Sequence, residues 1–97
     1  MPVIQSRPVI KAPDVMLQDL KGEAVLLNLA NGTYYGLDEN SYHMYRTLIS
    51  AGSFDATYEA LCREYDADPR QLRSDLEKFV TQLFDHGLLI YADESSE

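Results

Sequence analysis

Residues 31–40 read NGTYYGLDEN, and they hold a hairpin turn, a short aromatic strand and a helix start. Asn31-Gly32 is the strongest two-residue hairpin signal, because both residues tolerate the positive φ that such a turn demands. Thr33 to Leu37 then returns antiparallel, with Tyr35 and Leu37 toward the core and Tyr34 outward. Asp38 stands where a carboxylate can accept from the first N–H groups of a helix. The strand raises a question. It is the last of its sheet, yet it carries neither Lys nor Pro, the residues that commonly blunt an exposed edge.

Working back from this stretch, EAVLLNL (residues 23–29) reads as a preceding strand with Val25, Leu27 and Leu29 on one side. Lys21-Gly22 supplies a turn, and DVMLQDL (14–20) makes a first strand, Val15 and Leu17 on one face, Met16 and Gln18 on the other. Residues 1–13 contain three of the four prolines and read as an irregular N-terminal arm.

Working forward, a helix from about Glu39 to Ser50 puts Tyr42, Tyr45, Leu48 and Ile49 on one face. A second helix, capped by Asp55, carries Tyr58, Leu61, Cys62 and Tyr65 at helical spacing. The third is the best punctuated: Asp68 as N-cap, Pro69 at the first helical position, Gln71 in a capping-box variant, and His86-Gly87 as the stop. Its apolar set is Leu72, Leu76, Phe79, Val80 and Leu83. The expected class is α+β: a winged helix-turn-helix-like domain over residues 14–91, three antiparallel strands followed by three helices, with an acidic flexible tail at 92–97.

Composition narrows the function. A chain of 97 residues makes one domain with one modest core. Its net charge of −8 and singly scattered Lys and Arg argue against nucleic acid, whose phosphates are held by clustered cations. No apolar run approaches the ~18 residues of a membrane span, and the first 13 residues lack a signal-peptide core, so the expected compartment is the cytoplasm. A single cysteine, Cys62, excludes an internal disulfide; among core positions it reads as a small hydrophobe. His43 and His86 are far apart, and His86 suits a helix C-terminus. Ser41 and Ser53 lie at or near helix starts, where capping accounts for them. No phosphate-binding loop, metal-ligand spacing or nucleophile–base pair is present, so no catalytic residue, metal or cofactor is assigned.

What remains is surface. If the third strand lies at a sheet edge beside the third helix, the two form a groove. An extended peptide entering it would gain main-chain hydrogen bonds from the strand and side-chain pockets from the helix. Gly36 would let its backbone approach closely. Alternatively, the N-terminal arm or a second copy of the chain covers the edge, and the residues alone do not separate these readings. Arg70, Arg73 and Lys78 on the third helix would suit a winged-helix DNA-binding regulator, but they alternate with Asp75, Glu77 and Asp85.

The order of pieces resembles a known family. AVLLNLANGTYYGLDENSYHMYRTLISAG (24–52), with its Tyr35-Gly36-Leu37-Asp38 step into a helix, is similar to the opening of the PqqD-like proteins, the RiPP recognition elements. EYDADP (64–69) and LFDHGLL (83–89) continue the match. The resemblance implies a non-catalytic domain that binds the leader segment of a ribosomally made precursor peptide, antiparallel to the third strand and against the third helix. Carried onto this chain, the peptide-binding positions are Thr33, Tyr34, Tyr35, Gly36 and Leu37 on the strand. On the helix they are Leu72, Asp75, Leu76, Phe79, Val80 and Leu83. Within the family the chain looks most like the stand-alone leader-binding proteins of lasso-peptide pathways, which imply a separate leader peptidase and a cyclase as partners. Ala30-Asn31-Gly32 departs from the P-E-G turn of the quinone-cofactor branch. A chaperone for a radical peptide-modifying enzyme is the alternative inside the family. A monomer or weak homodimer is expected.

Overall fold

The computed structural model describes residues 7–92. Along them run β1 (Val9–Lys11), β2 (Val15–Leu20), β3 (Glu23–Asn28), β4 (Tyr34–Leu37), α1 (Glu39–Ala51), α2 (Phe54–Glu64), α3 (Pro69–Asp85) and β5 (Leu89–Tyr91). Strands β2, β3 and β4 form the expected antiparallel meander, in that order, and three helices follow.

The two turns of the meander are built differently. Leu20 pairs with Glu23, so Lys21 and Gly22 alone make the first reversal, both at positive φ (60° and 96°), as a tight hairpin requires. The second turn is wider than the Asn31-Gly32 pair suggests. Asn28 N–H donates to the Thr33 carbonyl at 2.8 Å and Gly32 N–H to the Asn28 carbonyl at 2.8 Å, so the loop spans residues 29–32. Only Gly32 takes positive φ there (76°). Asn31 contributes its side chain instead, Oδ1 accepting from Thr33 N–H (3.0 Å) and Thr33 Oγ1 (2.7 Å).

The core face of the meander carries Val15, Ala24, Leu26, Asn28, Tyr35 and Leu37. This reverses the side expected for β3: Val25 and Leu27 face outward, half-buried, and Leu29 in the turn is 57% exposed. The run is apolar on both faces, so alternation cannot choose between them; pairing of Leu26 with Tyr35 and Ala24 with Leu37 does. On β2 only Val15 of the expected pair is buried, Leu17 keeping 37% of its surface.

A second, two-stranded sheet joins the arm, read as irregular, to the apolar run after the third helix. Val9, Ile10 and Lys11 pair with Tyr91, Ile90 and Leu89. The arm from Val9 onward is therefore structured, with Val9 and Ala12 in the core. Residues 1–6 and the tail from 93 lie outside the described residues.

The helices follow their caps. Asp38 Oδ1 accepts from Ser41 N–H at 2.8 Å, and α1 buries Tyr42, Tyr45 and Leu48 while Ile49 stays 38% exposed. The cap of α2 is Ser53, whose Oγ accepts from Ala56 N–H at 3.2 Å, not Asp55. The shift brings Phe54 and Thr57 into the core, each with 0% exposure. Asp68 caps α3, accepting from Arg70 N–H at 3.0 Å. Gln71 does not reach back to the cap; it donates to Asp75 Oδ1 one turn on, at 2.9 Å. All five apolar positions assigned to α3 are buried, and Gly87 (φ 72°) follows its end.

Asn28 fastens the end of β3 to the end of α3. Its Nδ2 donates to the carbonyls of His86 (3.4 Å) and Gly87 (3.3 Å), and its Oδ1 accepts from Ala30 N–H (2.9 Å), at 5% exposure. Asn28→Ala should lower stability by about 1–2 kcal/mol in urea unfolding, since buried partners lose their bonds; an unchanged midpoint would contradict this role.

Candidate binding groove between β4 and α3

Hydrogen-bond direction alternates along an antiparallel strand, and two observed bonds fix the phase here. Leu29 N–H donates to the Asp14 carbonyl and Asn28 N–H to the Thr33 carbonyl, both at 2.8 Å. Continued along the observed register, Asn28, Leu26 and Ala24 turn their backbone groups to β4. Thr33, Tyr35 and Leu37 answer them. Tyr34 and Gly36 must then direct both N–H and C=O away from β3, along the outer edge.

That edge is open: among the described residues β4 pairs with β3 alone. The arm, from Pro8 onward, runs elsewhere, to β5 and α2. Tyr34 is 74% exposed, and a Cβ placed on Gly36 would meet nothing within 4 Å. Gly36 is thus not required by the fold's own packing.

On the core side, Tyr35 bridges the edge to α3. Its hydroxyl donates to Gln82 Oε1 at 2.6 Å, and its ring meets the His86 ring edge-on, centroids 5.1 Å apart. The His86 Nδ1–H donates to the Gln82 main-chain carbonyl at 2.8 Å, so the three side chains form one unit. Burial, with the negative charge of Asp38 behind it, raises the Tyr35 phenol above its ordinary value of 10.0 and keeps it a neutral donor.

The helix positions fall into two groups. Leu76, Val80 and Leu83 have 0% exposure and belong to the core. Phe79 (8%) and Leu72 (9%) keep a little surface, and Asp75 is exposed on the same helix. Leu72 also opens into a cleft of about 230 Å³ with Asn40, Met44, Tyr65 and Ala67. From Leu72 to His86 the helix covers roughly 21 Å, the length of about six extended residues. Gln82 and the bridging role of His86 were not singled out in the sequence; an exposed glutamine carries no periodic signal.

Asp38, at the exit of β4, is held below the ordinary 3.8 chiefly by the Ser41 backbone N–H. Asp19 is lowered likewise, first by the Tyr42 hydroxyl at 2.7 Å. A depressed carboxylate contributes stability that is complete above its unfolded value and lost as pH falls through the folded one. Asp38→Ala should therefore shrink the loss of stability on going from about pH 5 to pH 2; an identical acid limb in parent and variant, by thermal melts, would contradict the cap's contribution.

Elsewhere several polar side chains have structural partners. His43 Nε2 lies 2.8 Å from Glu64 Oε1, and Arg73 stacks over Phe54 and Tyr58 while facing Glu77 at 3.7 Å. Cys62 is half-buried. Among the described residues no group of His, Cys, Asp and Glu could hold a metal, and no helix is long and apolar enough to cross a membrane.

A three-stranded sheet with an open edge, tied through Asn28 and Tyr35 to the C-terminal end of the last of three helices, defines a PqqD-like, winged-helix-type domain. The family model for coenzyme PQQ synthesis protein D (PqqD) matches residues 23–89, and the chain belongs to that family, as a PqqD-like RiPP recognition element. Among solved structures it is similar to TbiB1 in complex with the TbiA(beta) leader peptide: 30% identity, TM-score 0.75, covering 82% of this chain and 93% of that one. It shares its fold with a lasso peptide synthetase B1 complexed with its leader peptide: 20% identity, TM-score 0.75, covering 86% and 98%. No curated protein matches the sequence.

Proposed function

We propose that this protein is a non-catalytic recognition element that binds the leader segment of a ribosomally synthesised precursor as a fourth strand on β4. The observation that carries the reading is the outward pair of backbone groups at Tyr34 and Gly36, on an open edge beside a buried apolar helix. Thr33 to Leu37 form one wall. Leu72, Asp75 and Phe79 form the other at its surface, with Leu76, Val80 and Leu83 beneath. The two leader-bound structural relatives support a peptide ligand of this kind, from lasso-peptide biosynthesis.

Presentation of the bound leader to a separate peptidase, or to a cyclase, belongs to the same proposal. Met16 (49% exposed), Leu27 and Tyr34 (74%) form one row across the outer face of the sheet. An added strand would extend that row with its own side chains, so a partner docking there would meet leader and carrier together. The setting is cytoplasmic, where precursor peptides are made.

The test is a titration of labelled synthetic leaders taken from precursor-like reading frames beside the gene. Saturable binding that changes little between about 50 and 200 mM salt is expected, because main-chain bonds and apolar contacts carry it. A DNA-binding helix would instead prefer random duplex and lose affinity steeply over that range. That outcome, with no leader bound, would overturn the proposal.

A further inference from the structure

We propose that Gln82 is a specificity-determining residue of the groove, taking the side-chain carbonyl of an asparagine or glutamine in the bound peptide. The inference rests on the strand-addition reading above. A strand added antiparallel to β4 would bond to the outward groups of Tyr34 and Gly36. The peptide residue between those two bonded positions then stands opposite Tyr35, in a non-hydrogen-bonded pair, where side chains approach most closely. Directly opposite residues project to the same face of a sheet. Its side chain therefore lies along the Tyr35 ring, on the core side, and the ring ends at Gln82, the hydroxyl donating to Oε1 at 2.6 Å.

That bond orients the amide. With Oε1 occupied, the Nε2 group offers two N–H donors and has no partner among the described residues, on an exposed side chain. His86 does not take them up among the described residues: its Nδ1–H goes to the Gln82 main chain, and no bond joins its Nε2 to the amide. An acceptor on the peptide would complete the set. A neutral carbonyl suits it better than a carboxylate, because Asp38 acts electrostatically on the same phenol and the chain carries a net charge of −8.

The test uses the full chain, immobilised, to select from a displayed library of random dodecapeptides, in parallel with Gln82→Glu, Gln82→Leu and Gly36→Pro. The parent should enrich Asn or Gln at one position of the selected peptides by about three- to tenfold, the worth of one hydrogen bond. Glu at this position still accepts from the Tyr35 hydroxyl but offers no donor, and should shift that position to Lys or Arg. Leu should shift it to apolar residues. Thermal melts of the variants should match the parent, Gln82 being exposed. The same enrichment in the parent and both Gln82 variants, or enrichment of Lys or Arg by the parent, would overturn the assignment. If the selected peptides are lost on Gly36→Pro yet indifferent to Gln82, only this inference fails. Peptides that bind Gly36→Pro as well as the parent would refute strand addition, and the inference with it.

Discussion

Gly36→Pro is expected to leave the domain folded while weakening leader binding by about 2–3 kcal/mol, roughly 30- to 150-fold in Kd. The separation of folding from binding follows from the phase of the ladder. The N–H of Gly36 points to the outer edge, so its removal costs β3 nothing. A ring at this position occupies space that is empty in the free chain, with nothing within 4 Å of the Cβ position. The incoming strand, however, loses a donor and meets the ring. Proline one residue earlier, at Tyr35, should do the opposite harm, breaking a β3–β4 bond and destabilising the fold itself. Arg63→Ala, on an α2 side chain that is 75% exposed and paired only at 3.7 Å with Glu59, is the control and should change neither quantity. Titration calorimetry with a bound leader, alongside urea melts, reads both. Parent-like affinity in a folded Gly36→Pro protein would place the peptide elsewhere.

Leu76→Ala should have the largest effect on stability, about 2–5 kcal/mol in urea unfolding. Leu76 has no exposed surface, and Leu72, Phe79, Val80 and Leu83 flank it on the buried face of the same helix. For a domain of this size the whole margin is commonly 5–15 kcal/mol, so the variant approaches the threshold of folding. Its binding loss should track the unfolded fraction and largely disappear when corrected for it. Phe79→Ala differs, because Phe79 keeps 8% of its surface, which the proposed binding mode turns to the peptide: it should lose stability and also affinity beyond the unfolded fraction. A Leu76→Ala protein as stable as the parent would mean that α3 is not held as described.

Much of this architecture was legible because local chemistry announces it. Asp38, Asp68-Pro69 and His86-Gly87 mark helix ends by caps whose groups lie within a few residues, and each is found in that role. The α3 core set was legible for a related reason: its polar and apolar residues separate cleanly onto two faces. Where the sequence misled, the deciding information was non-local or degenerate. The β1–β5 pair joins residues 78 to 82 positions apart across proline-bearing and Gly-flanked segments, and no local pattern encodes that partnership. The buried side of β3 depended on β4, since Val25 and Leu27 are as apolar as Leu26. Ser53 and Asp55 are both plausible caps; burial of Phe54 at the first position of α2 selects Ser53. Of the groove, the strand was legible from Tyr35-Gly36-Leu37-Asp38, but the Tyr35–Gln82–His86 bridge was not, because it joins positions 47 apart through exposed polar groups.

Amide hydrogen exchange, resolved residue by residue, tests strand addition most directly. In the free protein the N–H groups of Tyr34 and Gly36 should exchange quickly, while those of Tyr35 and Leu37, bonded to β3, are protected. Saturation with a leader peptide should slow Tyr34 and Gly36 and leave Tyr35 and Leu37 nearly as they were. A leader bound at saturation with Tyr34 and Gly36 still exchanging at their free rates would contradict a fourth strand on β4.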